Sequence, residues 1–451
     1  MDRWGTAMTI PYRAMPLVGA LPDIIRRGYF DVTMDALARN GSPIRLPVLH
    51  RDYYAIGHPD HVKQVVVDNR DNYRRTRYFE AMQLGFGRST LTTDGEWWRE
   101  RRTIMRPVLA RDNVESMAGI MAEPVNDMLE RWSALPTGHV FDLMPEMLVL
   151  TLEIVTRCMF GTKLRIDTRR MVSHFETIQS YFRQSTFFPF SIRLYGKLPT
   201  PMGRKFRRAI AELDREFLEL IGKRRARPKN DLLSIMVQLK DERGEGLNDR
   251  EVRDEVMTLL HAGHETTMLG ILWTFFLIGT HPEVRELLEA EIDGVPANRP
   301  PTVEDLSKLP YAEKVFKESL RLYPPVPAFS RKNLEADRIG DVTLPAGSYL
   351  NTVIWAVHLN PEFWNNPHVF DPERFSPERM KRRHTFAYLP FGAGPHRCIG
   401  YRMAMLESIL VLVMIARRFR LEPVGGPDSA PRARLSLRPL RGMLMSLRPR
   451  C

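Results

Sequence analysis

The chain has 451 residues, 43% of them hydrophobic and 27% charged, and carries a formal charge of +12. A chain of this length hides roughly three quarters of the surface it would expose unfolded, so a large core is expected. Its 66 Lys and Arg are scattered; no interleaved aromatic motif points to nucleic acid, and short runs such as Lys381, Arg382 and Arg383 read as solvated helix faces or as a basic face for an acidic protein partner.

Three cysteines, Cys158, Cys398 and Cys451, are too few for a disulfide framework and fit a reducing, cytoplasmic setting. Residues 1–15 carry charges at Asp2, Arg3 and Arg13 and no sustained apolar run, the pattern of neither a signal peptide nor a transmembrane anchor. No linker, repeat or low-complexity tract divides the sequence. One domain over residues 1–451 is expected, with residues 1–40 as an N-terminal extension.

Taken in chain order, residues 54–56 read as a strand. A long apolar-periodic helix is expected over Asp249–Thr280, capped by Asn248 or Asp249 and stopped by Pro282. A second helix is expected over 303–322, starting near Thr302 or Asp305 and ending before Pro324 and Pro325. Residues 348–354 read as a strand after a turn, and 360–383, with four prolines, as an irregular segment of the kind that often has a function. A helix over 402–417 and a strand over 443–447 complete a mostly α protein with a little sheet. The run 409–415 is too short to span a bilayer and reads as part of a buried helix.

Within residues 385–410, Phe391, Gly392, Ala393, Gly394, Pro395, His396, Arg397, Cys398, Ile399 and Gly400 form a glycine-rich loop that runs into that helix. Its glycines permit positive φ and close backbone approach. Cys398 then sits near a helix N-terminus, where the dipole and free N–H groups favour a thiolate. A thiolate suits a soft metal; on haem iron it pushes electron density toward oxygen and favours O–O cleavage. A dinucleotide fingerprint fails because Arg397 stands at the third glycine position with no βαβ unit around it. A buried inert cysteine is the plain competing reading.

Inside the long helix, Leu259, Gly263, Thr266 and Gly270 fall on one stripe. Glu265 places a carboxylate beside the Thr266 hydroxyl. Cleaving dioxygen consumes protons in an apolar site, and an acid next to an alcohol can relay them. The plain readings are a threonine bonded to its i−4 carbonyl and a solvent-facing glutamate. A zinc-protease reading of His264 and Glu265 fails at Met268, and His261 with His264 is a meagre metal site.

The cysteine loop resembles that of the cytochrome P-450 family of haem-thiolate monooxygenases, with His396 where most members have Arg. Residues 262–267 match that family's oxygen-activation motif. The resemblance spans roughly residues 40–447. It implies a mostly α fold with small β-sheets, a prism-like helical domain around a buried haem b. Cys398 would be the axial ligand of the haem iron, with Phe391, Gly392 and Gly400 also binding the cofactor. Glu265 and Thr266 would be the catalytic acid–alcohol pair, with Gly263 close to bound oxygen. Trp98, Arg102, Arg331 and His396 would surround the haem propionates with N–H and cationic donors, and Trp97 leaves the Trp–Arg pairing open by one residue. Glu318, Arg321 and Arg374 would form a mostly buried triad that locks the loop before Cys398.

Family position further implies substrate-lining residues: Phe79, Met82, Phe86, Phe187, Phe188, Leu259, Ala262, Val326 and Phe329. All are apolar, so a hydrophobic substrate is expected, of fatty acyl, terpenoid or polyketide type; ordinary core packing is the competing reading for each. The chain ends about fifty residues after Cys398. From this, electrons are expected from NAD(P)H through an acidic ferredoxin or flavodoxin with its reductase, docked by basic residues such as Arg397 and Arg402. A monomer is expected. An enzyme that uses peroxide or rearranges a hydroperoxide, and a haem sensor without catalysis, are the other two readings. The Glu265–Thr266 pair favours monooxygenation, because neither peroxide use nor rearrangement needs a dioxygen proton relay.

Overall fold

The computed structural model describes residues 18–49, 51–186, 198–425, 431–433 and 435–450. Phe187 and Phe188 lie outside the described residues. The chain folds as two compact units interleaved in sequence. The first draws on Met1–Thr76, Leu320–Cys398 and Pro431–Arg438, the second on Arg77–Ser319, Ile399–Ala430 and Pro439–Cys451.

The first unit is built on a five-stranded sheet. Its strands lie in the order Ile44–Val48, Arg51–Ile56, Tyr349–Thr352, Phe329–Asn333 and Tyr73–Arg75. Arg51–Ile56 runs parallel to Tyr349–Thr352, and the other pairs are antiparallel. Pro47, which cannot donate to a ladder, falls in the edge strand Ile44–Val48. Tyr54, Ile56, Leu350, Val357 and Leu389 close a core on this sheet. The strand expected over 348–354 stops at Thr352, and Ile354–His358 is a short helix. There Trp355 N–H donates to the Pro327 carbonyl at 3.0 Å, and its indole N–H donates to the Leu322 carbonyl at 2.8 Å. Residues 360–383 are irregular apart from two single-turn pieces, Pro372–Phe375 and Pro377–Arg382.

The second unit is helical around Asp249–Thr280. Asn248 Oδ1 accepts from Glu251 N–H at 3.0 Å, and the Glu251 carboxylate accepts from Asn248 N–H at 3.0 Å. These reciprocal bonds satisfy donors that a helix start leaves orphaned. Most of the helix from Val252 to Ile278 is buried, and its second half, 268–278, is apolar apart from Thr274, as burial on all sides requires. It packs against Leu143–Phe160, Pro201–Ala226 and Tyr401–Arg418. Leu143–Phe160 starts from an Asp142 cap and ends at Gly161, whose φ of 59° is left-handed. A three-stranded sheet, with Leu444–Pro449 between His139–Asp142 and Phe419–Pro423, joins this unit.

The helix expected over 303–322 is two helices, Val303–Ser307 and Pro310–Leu322. Pro310 has no N–H to continue the first helix and its ring is suited to starting the second. No helix among the described residues is long and apolar enough to cross a membrane.

Candidate functional site

In the first unit, the loop before Cys398 is fixed by its own backbone. Cys398 N–H donates to the Phe391 carbonyl at 2.8 Å. Gly392 and Gly394 have φ of +67° and +66°, and a Cβ on Gly394 would lie 2.2 Å from the Val66 carbonyl oxygen. Only glycine fits there. The turn leaves the Cys398 thiol exposed, whereas Cys158 is buried, and burial pushes the Cys158 thiol far up. Free cysteines are usually buried, so an exposed one on a constrained loop points to chemistry rather than packing. Gly400 is the N-cap of Tyr401–Arg418, so Cys398 lies two residues before that cap.

Beside this loop the unit gathers positive charge. Arg75 and Arg331 stand directly opposite each other on paired strands. Arg331 is 9% exposed, donates to the Ser330 carbonyl at 3.1 Å and lies 5.0 Å over the Phe329 ring. An Arg75 Nη2 hydrogen bond of 3.1 Å reaches His396 Nδ1. A guanidinium can only donate, so Nδ1 accepts and the neutral ring carries its proton on Nε2. Like charges opposed across a ladder repel each other, and a set of guanidinium and imidazole N–H donors is chemically suited to carboxylates. Sequence reasoning missed Arg75, which sits in the basic run Arg74–Arg75 and is joined to its partner His396 only across 321 residues.

The three residues expected to form a triad are each buried. Glu318 and Arg321 have no accessible surface, and Arg374 is buried. Arg321 donates to the carbonyls of His358 at 2.9 Å, Pro367 at 2.7 Å and Val369 at 3.1 Å. Arg374 donates to the Asn366 carbonyl at 2.9 Å. The two arginines thus organise the irregular segment through its backbone. His358, which sequence reasoning also missed, joins this network to the cysteine loop: Nδ1 bonds the Arg321 carbonyl at 3.2 Å and Nε2 accepts from Leu389 N–H at 2.8 Å. Burial, with Arg321 nearby, lowers its pKa to about 3, so the ring is neutral.

In the second unit, the helix Asp249–Thr280 carries an accessible stripe in a mostly buried stretch: Leu259, Ala262, Gly263 and Thr266, with His261 also partly accessible. Gly270, expected to continue it, is buried; its carbonyl accepts from Thr274 Oγ1 at 2.7 Å. A Cβ on Gly263 would meet Val155 Cγ2 at 3.3 Å, so part of its need for glycine is helix packing. Thr266 Oγ1 donates to the Ala262 carbonyl at 2.7 Å, and Thr151 Oγ1 donates to the His264 carbonyl at 3.0 Å. Glu265 is buried, and Gln179 donates to its Oε2 at 3.0 Å. Met82 is buried and Phe86 has no accessible surface. Phe86 packs edge-on to Phe182 and also against His261, so it belongs to the core and not to a lining. Phe79 and Phe329 are partly accessible and Val326 is exposed.

Trp98 is buried and its indole N–H donates to the Thr90 carbonyl at 2.9 Å, so that N–H serves the preceding loop. Arg102 lies 6.0 Å over the Trp98 ring, whereas Trp97 stacks with Arg88 and Arg101, which places Arg102 with Trp98. Thr90 donates its N–H at 2.9 Å and its hydroxyl at 2.8 Å to the Glu255 carboxylate. Burial raises the Glu255 pKa to about 7 against these bonds.

Comparison with known proteins bears on these parts together. A family model described as Cytochrome P450 matches residues 10–445. Cyclooctat-9-en-7-ol 5-monooxygenase of Streptomyces melanosporofaciens is 34% identical over 429 residues, covering 94% of this chain and 92% of that protein. Cyclooctatin synthase of the same organism is 32% identical, with 89% and 88% covered. Cytochrome P450 4A14 of Rattus norvegicus is 32% identical, with 86% and 80% covered.

Proposed function

Because this chain belongs to the cytochrome P450 family and is a haem-thiolate monooxygenase, we propose that Cys398 ligates the haem iron, that Glu265 and Thr266 relay protons, and that the substrate is a terpenoid. The observation that carries the reading is the exposed Cys398 thiol on a loop that glycines and a backbone bond hold in place. The donors that the first unit gathers suit the carboxylates of haem b: Arg75, Arg331 and His396 would hold them, and the family resemblance gives Arg102 the same role. Trp98, its N–H engaged by Thr90, would serve by supporting Arg102. Bound there, the haem supplies thiolate-ligated iron that activates dioxygen.

The chain's own residues set the conditions for that chemistry. Monooxygenation consumes one O2, two electrons and two protons per substrate C–H, and yields one hydroxyl and one water. Buried Glu265 is the group that takes up protons, and Thr266, next on the helix, holds its hydroxyl on the accessible stripe. Leu259, Ala262 and Gly263 give that stripe an apolar surface that suits a hydrocarbon skeleton. The names of the two Streptomyces relatives support a terpenoid of the cyclooctatin kind over a fatty acyl chain or polyketide. Electrons come from NAD(P)H through an acidic ferredoxin or flavodoxin that meets exposed Arg397 and Arg402; the protein works as a cytoplasmic monomer, in one domain of the family.

Titrating the haem-loaded protein with cyclic terpene alcohols and with fatty acids tests the substrate class. A spin-state shift of the type given by substrate binding is expected with the terpene alcohols at far lower concentration. A shift confined to fatty acids would overturn the terpenoid assignment.

A further inference from the structure

Glu265 is held from a neighbouring helix. The residue is 6% exposed, and Gln179, on Thr168–Thr186, donates its side-chain N–H to Oε2 at 3.0 Å. Gln179 is itself partly accessible, and Arg183, one turn further on, is exposed. Tyr78, on Arg77–Phe86, lies in the same electrostatic neighbourhood: burial raises its phenol pKa most, the Glu265 carboxylate adds to this and Arg183 opposes it. Gln179 therefore stands between a buried carboxylate and an accessible helix face.

A buried carboxylate needs a hydrogen-bond donor. A guanidinium or ammonium would supply one together with a counter-charge that fixes the carboxylate in its ionised form. An amide supplies the N–H and adds no charge of its own, so Gln179 orients the carboxylate without itself fixing it in the ionised form. Thr266 does not compete for this bond, since its hydroxyl is spent on the Ala262 carbonyl.

We propose that Gln179 is a positioning residue of the oxygen-activating site, whose amide orients Glu265 and sets how readily it takes a proton from solvent and passes it toward Thr266. The proposal rests on the reading of Glu265 as the relay acid. No net change falls on either residue: each proton that Glu265 gives up is replaced from water, and the two electrons arrive separately from the carrier.

The test compares Gln179→Leu, Gln179→Glu and Glu265→Gln in the haem-loaded protein. Glu265→Gln identifies the Glu265 carboxylate band in the infrared spectrum of the resting protein. In Gln179→Leu that band is expected to move, peroxide per electron to rise about threefold or more, and the solvent deuterium isotope effect on turnover to change. Gln179→Glu, of the same size but carrying a like charge, is expected to uncouple further. A residue that only supported the helix would change unfolding and leave band, coupling and isotope effect where they were. If Glu265→Gln uncouples while both Gln179 variants behave as the parent, the role of Gln179 is refuted and the relay stands. If Glu265→Gln leaves coupling intact, the relay reading falls and the proposal with it.

Discussion

Glu255 shows what a single buried carboxyl does to the pH response. Its pKa is raised from 4.5 to about 7, so the folded state holds the proton more tightly than the unfolded chain. The stabilisation this gives is complete below about pH 4.5 and is lost as pH rises to about 7. Glu255→Gln, which can still accept the Thr90 N–H, should remove that dependence. Between pH 5 and 8 its stability relative to the parent should rise by up to roughly 3 kcal/mol. Urea unfolding at a series of pH values measures this, and parallel curves would contradict it. Thr266→Ala should divert electrons to peroxide by roughly tenfold while haem binding is unchanged, read as peroxide formed per electron delivered. Cys398, Glu265 and Thr266 were legible in the sequence because each is a reactive residue type within a few positions of its partners. Arg75, Gln179 and His358 were not, because their meaning lies in hydrogen bonds to distant residues; Gln179 meets Glu265 across 86 positions.

Among the elements, the helix Asp249–Thr280 could be read to its ends, since a capping residue, a long apolar run and Pro282 all agree. The strands Phe329–Asn333 and Tyr73–Arg75 could not. They are short, rich in Arg, Lys, Ser and Asn, and have no alternation to mark a half-buried face. Yet these two strands carry Arg331 and Arg75. The irregular segment before the cysteine loop was recognised by its prolines, but not the histidine that ties it down. His358→Leu leaves Leu389 N–H and the Arg321 carbonyl without this partner and should cost about 2–4 kcal/mol. Faster transfer of haem to an acceptor protein should accompany the loss. A variant with unchanged stability and haem retention would show that His358 does not brace the loop.

For the whole molecule, the formal charge of +12 favours the proposed docking of an acidic electron carrier. Association between opposite charges weakens with salt. Turnover at limiting carrier should therefore fall several-fold between about 50 and 300 mM salt, and a rate indifferent to salt with every acidic carrier would argue against electrostatic docking. The fold class and the family follow from motifs spread over most of the length, which is why they were legible at this scale. Substrate class was not, because apolar lining residues look like core until burial separates them, as it does for Phe86. Ligation of the iron is assigned to Cys398, the one exposed cysteine among the described residues. Its direct test is the absorption spectrum of the reduced, carbon monoxide-bound protein with and without Cys398→Ser. The parent should show the red-shifted band given by a thiolate ligand, and the Ser variant should lose it. Persistence of that band in the variant would mean that another group ligates the iron.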